Sequence, residues 1–318
     1  MKITTLIPAY KTKYIVELLV SLQRQTRPSN RIVFSDDSPD GAYTALLDSE
    51  ALRAVRQQLP IEVYAGPRKG AYENFKHLAR LWGGGSELVH LLLDDDVMFP
   101  DFYERHLQAH ASGRFSCSIS GRWTANEQGQ PIGVQPLPAG VAASRERMLS
   151  LSDEVLFMST VPLCTNWLGE FSNCVMRAET LPLLFEPRFA DVSYAGLWDL
   201  GYFLAASTQA PVAYIQDRLG YFRTGGDNNS SQLFGKFMKA AHLGYVALAV
   251  GGERIGKLNK EQARQCYAGI APALLQRYAS QADMQPFCVI LARMAEGDAQ
   301  AVQAFEQAWA HYLREQGF

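Results

Sequence analysis

Leu88-Val89-His90-Leu91-Leu92-Leu93 is an apolar run of strand length, and it ends in three consecutive carboxylates, Asp94, Asp95 and Asp96. Adjacent negative charges repel, and a carboxylate taken out of water needs a partner. Hard oxygen ligands at the end of a strand suit a divalent cation and the phosphates it bridges. They also stand where open α/β sheets bind ligands, outside the carboxyl ends of the strands. A solvated acidic turn before a helix opened by Pro100 and Asp101 fits the same residues. A second acidic pair, Asp36-Asp37, closes the run Arg31-Ile32-Val33-Phe34-Ser35. If both runs are strands of one parallel sheet, both clusters face one crevice.

The intervening pattern supports such a sheet. Ile3 to Pro8 has strand character. Ile15, Leu18, Leu19 and Leu22 fall at helical spacing within residues 14–25. A second helix is expected over residues 42–58, a third strand at Ile61 to Tyr64, and a third helix at Ala71 to Trp82 before Gly83-Gly84-Gly85. Strands alternating with helices imply a parallel sheet with right-handed crossovers. Beyond it, residues 102–111 read as a helix carrying His106 and His110, which could pair on a metal or pack. Strands are expected at Phe115 to Ser120, Asn173 to Met176, Ala210 to Gln216 and Leu219 to Arg223.

With 318 residues, 47% hydrophobic and 19% charged, the chain can bury a sizeable core. Its net charge of -2 gives no electrostatic basis for nucleic-acid binding. The N-terminus lacks signal-peptide character, and no stretch is apolar enough to span a bilayer. The five cysteines are scattered without metal spacing, which suggests reduced thiols in a cytoplasmic protein.

The series Ile7-Pro8-Ala9-Tyr10, Phe34-Ser35-Asp36-Asp37-Ser38, Gly70 with Asn74, and Leu93-Asp94-Asp95-Asp96 resembles the nucleotide-binding half of family 2, GT-A-fold inverting glycosyltransferases. The resemblance covers residues 1–230, with a nucleotide-sugar half to about residue 125 and an acceptor half over 126–230. A helical extension follows at 231–318. It implies an α/β fold with a Rossmann-like, mostly parallel sheet flanked by helices.

In that reading Pro8-Ala9-Tyr10 forms a tight turn close to the base, with the Tyr10 ring stacked on it. Asp36 or Asp37, with Asp37 favoured, accepts hydrogen bonds from the base or ribose, and Ser38 caps the next helix. Asn74 approaches the nucleotide. Asp94 and Asp96 form the Asp-X-Asp pair. Asp94 holds the ribose or a metal-bound water, Asp96 ligates Mg²⁺ or Mn²⁺, and Asp95 turns toward the donor sugar. Arg68 and Lys69 could meet phosphate or simply lie exposed.

The resemblance extends more loosely downstream. Thr165 to Ser172 corresponds to an acceptor-side loop containing Gly169, where Trp167 either stacks on a sugar or packs in the core. Trp198 falls in the acceptor-side segment that also holds Asp199. Asp199 stands alone in an apolar run, which suits a catalytic base with a raised pKa. A helix-capping role for Asp199 and a second candidate base, Asp191, remain open. Tyr221 to Ser230 resembles the loop ending the catalytic half, but Gly225 occupies its histidine position. Asn228 and Ser230 match, Asp227 or water could substitute, and Arg223 could clamp the pyrophosphate.

The implied activity is transfer of a sugar from a nucleoside-diphosphate sugar to a glycan or lipid-linked acceptor in bacterial surface-polysaccharide or glycoconjugate synthesis. Such an enzyme works in the cytoplasm, at the inner membrane face where the acceptor is lipid-linked. The basic residues Lys236, Lys239, Arg254, Lys257, Lys260 and Arg264 could serve peripheral membrane contact, a homodimer or a solvated face. Two other readings compete: a sugar-nucleotide- or glycan-binding scaffold with a decayed site, and a sugar nucleotidyltransferase. The latter needs a Gly-rich, Arg-bearing first loop, which residues 7–12 lack.

Overall fold

The computed structural model describes residues 1–226, 228 and 231–318. The chain divides into two compact units. The first comprises Met1–Leu151, Leu168–Phe185 and Gln209–Thr224, and the second Ser152–Trp167, Glu186–Thr208 and Gly225–Phe318.

The first unit is built on one sheet. Its strands are β1 (Ile3–Ala9), β2 (Arg31–Asp36), β3 (Ile61–Ala65), β4 (Leu88–Leu91), β5 (Val97–Met98), β6 (Cys117–Ala125), β7 (Pro131–Val134), β8 (Met148–Leu151) and β9 (Cys174–Arg177). The hairpin β10 (Arg188–Phe189) and β11 (Val192–Ser193) belongs to the second unit, and β12 (Val212–Arg223) returns to the sheet. The order is β3-β2-β1-β4-β9-β6-β12-β5, with β7 on β6 and β8 on β12. The strands β3, β2, β1 and β4 run parallel, and β6 runs parallel to β12. Strand β9 is inserted antiparallel between β4 and β6. This is the expected α/β architecture.

Strand β1 is buried along its whole length, between β2 and β4. Its Thr5 is tolerated there because Oγ1 donates to Ser29 Oγ at 2.9 Å. Pro8 and Ala9 continue this strand rather than forming the expected tight turn. Pro8 is accommodated because the ladder to β4 has already ended at Leu6 and Leu91, so no β4 acceptor waits for its missing N–H. The helix expected over residues 42–58 is two helices, Ala42–Leu47 and Glu50–Gln57. Ser49 breaks it by adopting the extended conformation of an N-cap. The two strands expected at residues 210–223 are one strand, β12, which absorbs its irregularity as register shifts against β6.

The second unit is helical. Helix Trp198–Ser207 is buried on nearly every side. Gly201 permits this, since a Cβ there would stand 2.1 Å from the Tyr194 ring. Lys236–Arg254, Lys260–Tyr278, Gln285–Ala295 and Ala299–Gln316 follow. The helix Lys260–Tyr278 runs unbroken through Pro272, and Pro286 sits at the first turn of its helix, where a missing N–H costs nothing. Phe287, Phe305, Trp309 and Tyr312 form a ring cluster among them.

In this division residues 152–167 and 186–208 group with the C-terminal helices, whereas the sequence reading placed the boundary near residue 230. Much of the basic charge noted there is neutralised locally. Lys239 pairs with Asp283, Arg254 with Asp191 and Glu306, Lys257 with Asp153 and Arg264 with Glu261. No helix among the described residues is long and apolar enough to cross a membrane.

Candidate active site

The carboxyl end of β4 carries the three aspartates, all buried, and each is held differently. Asp94 Oδ2 accepts the backbone N–H groups of Tyr10 at 2.6 Å and Lys11 at 2.5 Å. It thereby pins the segment leaving β1. Burial, then the charge of Asp95, pushes its pKa up to about 7, against those two hydrogen bonds. Asp95 Oδ2 pairs with Lys11 Nζ at 2.5 Å. Asp96 Oδ1 accepts the Arg223 N–H at 3.0 Å. Its Oδ2 is buried and has no hydrogen-bond partner among the described residues. Burial and Asp95 push Asp96 well above the usual carboxylate range, and Ser172 and the Arg223 N–H oppose them.

A small cavity lined by Asp96, Arg122, Ser172, Asn173, Tyr221 and Phe222 adjoins that oxygen. Arg122 and Glu170 form an ion pair here, with Nε 2.5 Å from Oε2, and the guanidinium lies 5.0 Å from the Phe222 ring centre. Burial raises the Glu170 pKa; Arg122 pulls it down and the Asp95 charge pushes it up again. Gly169 turns the chain into this corner with φ +109, where a Cβ would stand 2.4 Å from Asn173 Oδ1.

The acids after β2 separate into two roles. Asp36 accepts from Ser38 N–H at 2.9 Å and Ser38 Oγ at 2.5 Å through Oδ1, and from Thr44 N–H and Oγ1 through Oδ2. Burial alone would raise its pKa, but these bonds outweigh it and hold the carboxyl below its usual range. Asp36 is thus engaged in organising the turn. Asp37 is only half-buried, and its Oδ1 accepts the Arg68 N–H at 2.5 Å. Ser38 Oγ accepts the Tyr43 N–H at 2.9 Å, satisfying a first-turn donor of the helix whose N-cap residue is Gly41. The Tyr10 ring stands 58% exposed just past the end of β1.

The other candidate residues lie as follows. Asn74 is buried, and its side chain bonds the hydroxyl and carbonyl of Ser35, tying its helix to β2. Arg223 is 1% exposed. Its guanidinium donates to Asp95 O at 2.9 Å, Glu127 O, Glu17 Oε2 at 2.5 Å and Tyr221 OH at 3.2 Å, and lies 4.2 Å from the Tyr14 ring centre. These bonds tie separate parts of the first unit together. His106 and His110 are packed, His106 against Ser118 Oγ at 2.6 Å and His110 against Val175 O at 3.3 Å. Arg68 and Lys69 are exposed.

In the second unit Trp167 is 2% exposed, with Nε1 donating to Ser159 Oγ at 3.1 Å, and Trp198 is 3% exposed. Both are core side chains rather than open sugar platforms. Asp199 is half-buried in the first turn of its helix, where Oδ1 accepts the Leu200 N–H at 2.7 Å. It lies close enough to Tyr245 to help burial raise that phenol's pKa. Asp191 is exposed and paired with Arg254. Gly225 has φ +102, and its N–H donates to Ser231 Oγ at 3.1 Å. Asn228 is buried and its N–H donates to Gly225 O at 3.3 Å. Asp227 and Ser230 lie outside the described residues.

Sequence reasoning missed Lys11, Glu17, Arg122 and Glu170. Lys11 follows Tyr10 directly, and Glu170 follows Gly169, so proximity to residues already singled out was the only signal.

No three carboxylate, imidazole or thiolate groups converge into a metal site among the described residues. A cation still fits the chemistry of Asp96, a buried carboxylate with one oxygen unsatisfied.

A mostly parallel sheet flanked by helices, with acidic clusters after β2 and β4, is a GT-A architecture. Residues 4–161 match the family model described as glycosyl transferase family 2, and over those residues the chain belongs to that family. No curated protein matches the sequence.

Solved structures with a similar fold include residues 1–349 of TarS from S. aureus in complex with UDP-GlcNAc. That match has a TM-score of 0.56 and 14% identity, and covers 99% of this chain and 93% of that one. Another is the mannosyltransferase PcManGT from Pyrobaculum calidifontis in complex with GDP-Man and Mn2+. Its TM-score is 0.54 at 15% identity, covering 98% of this chain and 86% of that one. At these identities the likeness is one of fold.

Proposed function

We propose that the protein transfers a sugar, with inversion, from a nucleoside-diphosphate sugar to an acceptor hydroxyl in the assembly of a surface polysaccharide or related glycoconjugate. The observation that carries this reading is Asp96, buried at the end of β4 with an oxygen that no described group satisfies. In a family 2 chain that oxygen is the natural ligand for Mn²⁺ or Mg²⁺. A bound cation would offset the charge that develops on the departing diphosphate.

The remaining groups have separate tasks. Tyr10 offers an exposed ring to the base. Asp37 accepts from the base N–H or a ribose hydroxyl, while Asp94 and Asp36 hold the backbone around them. Asp199 takes the proton from the acceptor hydroxyl as it attacks the anomeric carbon. A half-buried position in a helix first turn suits a carboxylate that must reach an incoming ligand.

The test is calorimetric titration of nucleoside diphosphates with and without Mn²⁺, beside a hydrolysis and transfer screen of nucleotide-sugars. Asp96→Ala should lose the metal-dependent part of diphosphate binding. Asp199→Ala should keep that binding and lose transfer. A wild-type protein that binds no nucleoside diphosphate in either condition refutes the reading, and full transfer by Asp199→Ala removes Asp199 as the base.

A further inference from the structure

Cys164 and Cys266 are 102 positions apart in the chain, yet their sulfurs lie 3.6 Å apart within the second unit. Cys164 sits in the turn after helix Asp153–Thr160, half-buried, in the left-handed conformation with φ +49. Cys266 is fully buried on helix Lys260–Tyr278, its Sγ against Tyr245 O at 3.5 Å. One turn further along that helix Gly269 leaves room, its Cβ position lying 3.8 Å from Cys164 Sγ. The left-handed turn and the side-chain-free Gly269 together aim the more accessible sulfur at the buried one.

We infer that Cys164 and Cys266 form a site of reversible oxidation, which a peroxide-class oxidant converts into an intramolecular disulfide. This goes beyond glycosyl transfer and does not depend on it. The Cys164 thiolate attacks the peroxide O–O bond, forming sulfenic acid and releasing hydroxide. The Cys266 sulfur then attacks the sulfenic sulfur and expels water, so two thiols and one peroxide give one disulfide and two waters. The sulfurs must close from 3.6 Å to a bonded separation of about 2.05 Å, a side-chain adjustment. The pair is graded in the needed direction. Cys266 lowers the Cys164 pKa, favouring the attacking thiolate, while the Cys266 thiol is held well above its usual value by Cys164 and by burial.

The experiment is exposure of the full chain to hydrogen peroxide, alkylation of remaining thiols, and peptide mass spectrometry without reductant. The expected product is a Cys164–Cys266 linked peptide, two hydrogens lighter than the reduced pair and restored by dithiothreitol. Buried Cys117, Cys174 and Cys288 should stay alkylatable after denaturation. In Cys266→Ser the link should vanish and Cys164 should be trapped by dimedone. The inference is overturned if Cys164 stays reduced at peroxide doses that oxidise glutathione, or if its partner is another cysteine or a second chain. The wild-type map decides this even where a variant folds poorly.

Discussion

Replacing Arg223 with methionine separates a clasp from a phosphate ligand. The side chain is 1% exposed and donates to four groups, Asp95 O, Glu127 O, Glu17 and Tyr221 OH, which come from separate parts of the chain. Methionine fills much of the same volume but supplies no donor. The carbonyls of Asp95 and Glu127 lose a charged partner, and Glu17 keeps a route to water because its side chain is 48% exposed. Removing one member of such a network typically costs about 3–5 kcal/mol, and Glu17's exposure places this case toward the lower end. At about 2–4 °C per kcal/mol, the melting temperature should fall by about 6–20 °C. Calorimetry or thermal circular dichroism of Arg223→Met in the absence of nucleotide reads this directly. A melting temperature within about 2 °C of wild type, with weakened diphosphate binding, would refute the clasp and restore the phosphate contact.

The buried histidines make a pH prediction. Burial pulls the His110 pKa down to about 4, against a hydrogen bond to Val175 O, so the ring is neutral in the fold. Its contribution is present above the unfolded value near 6.5 and is lost as pH falls toward 4. Relative to wild type, His110→Gln should therefore lose about 2 kcal/mol less stability between pH 7 and pH 5 in urea titrations. Trp167→Ala should cost about 3–5 kcal/mol of stability, since it empties a core site, and reduce acceptor binding only through that loss. Gly169→Ala should cost about 1–3 kcal/mol by chemical denaturation, from a strained φ and a clash with Asn173.

The alternation of strands and helices in the first 125 residues was legible because periodicity reports it locally. So was the placement of acids at strand ends, which follows once the sheet is parallel. The fate of individual polar side chains was not legible. Asp36 and Asp37 are neighbours of identical chemistry, and only the fold shows that Ser38 and Thr44 take the first. Arg223 looked like a phosphate ligand because its partners Glu17 and Asp95 lie 206 and 128 positions away. Trp167 resolved toward the core for a similar reason, because an aromatic beside a glycine loop carries no mark of which way the loop turns. The grouping of residues 186–208 with the C-terminal helices was not legible, because the run Trp198–Ser207 is buried on nearly every side, a pattern that states burial without naming the partner.

The three aspartates after β4 are tolerated side by side because different groups reach them. Backbone N–H groups meet Asp94, an ammonium meets Asp95, and Asp96 Oδ1 receives the Arg223 N–H with the Ser172 side chain close by. The first two arrangements lock the end of β1 against the end of β4, so loss of Asp94 or Lys11 disturbs the scaffold as well as any ligand. Asp96 keeps a buried oxygen that no hydrogen bond satisfies among the described residues, and burial, then the Asp95 charge, raises its pKa. Under the proposed function that oxygen is the one offered to a cation. The cluster is therefore a support of two carboxylates that positions a third, and the functional reading turns on that third.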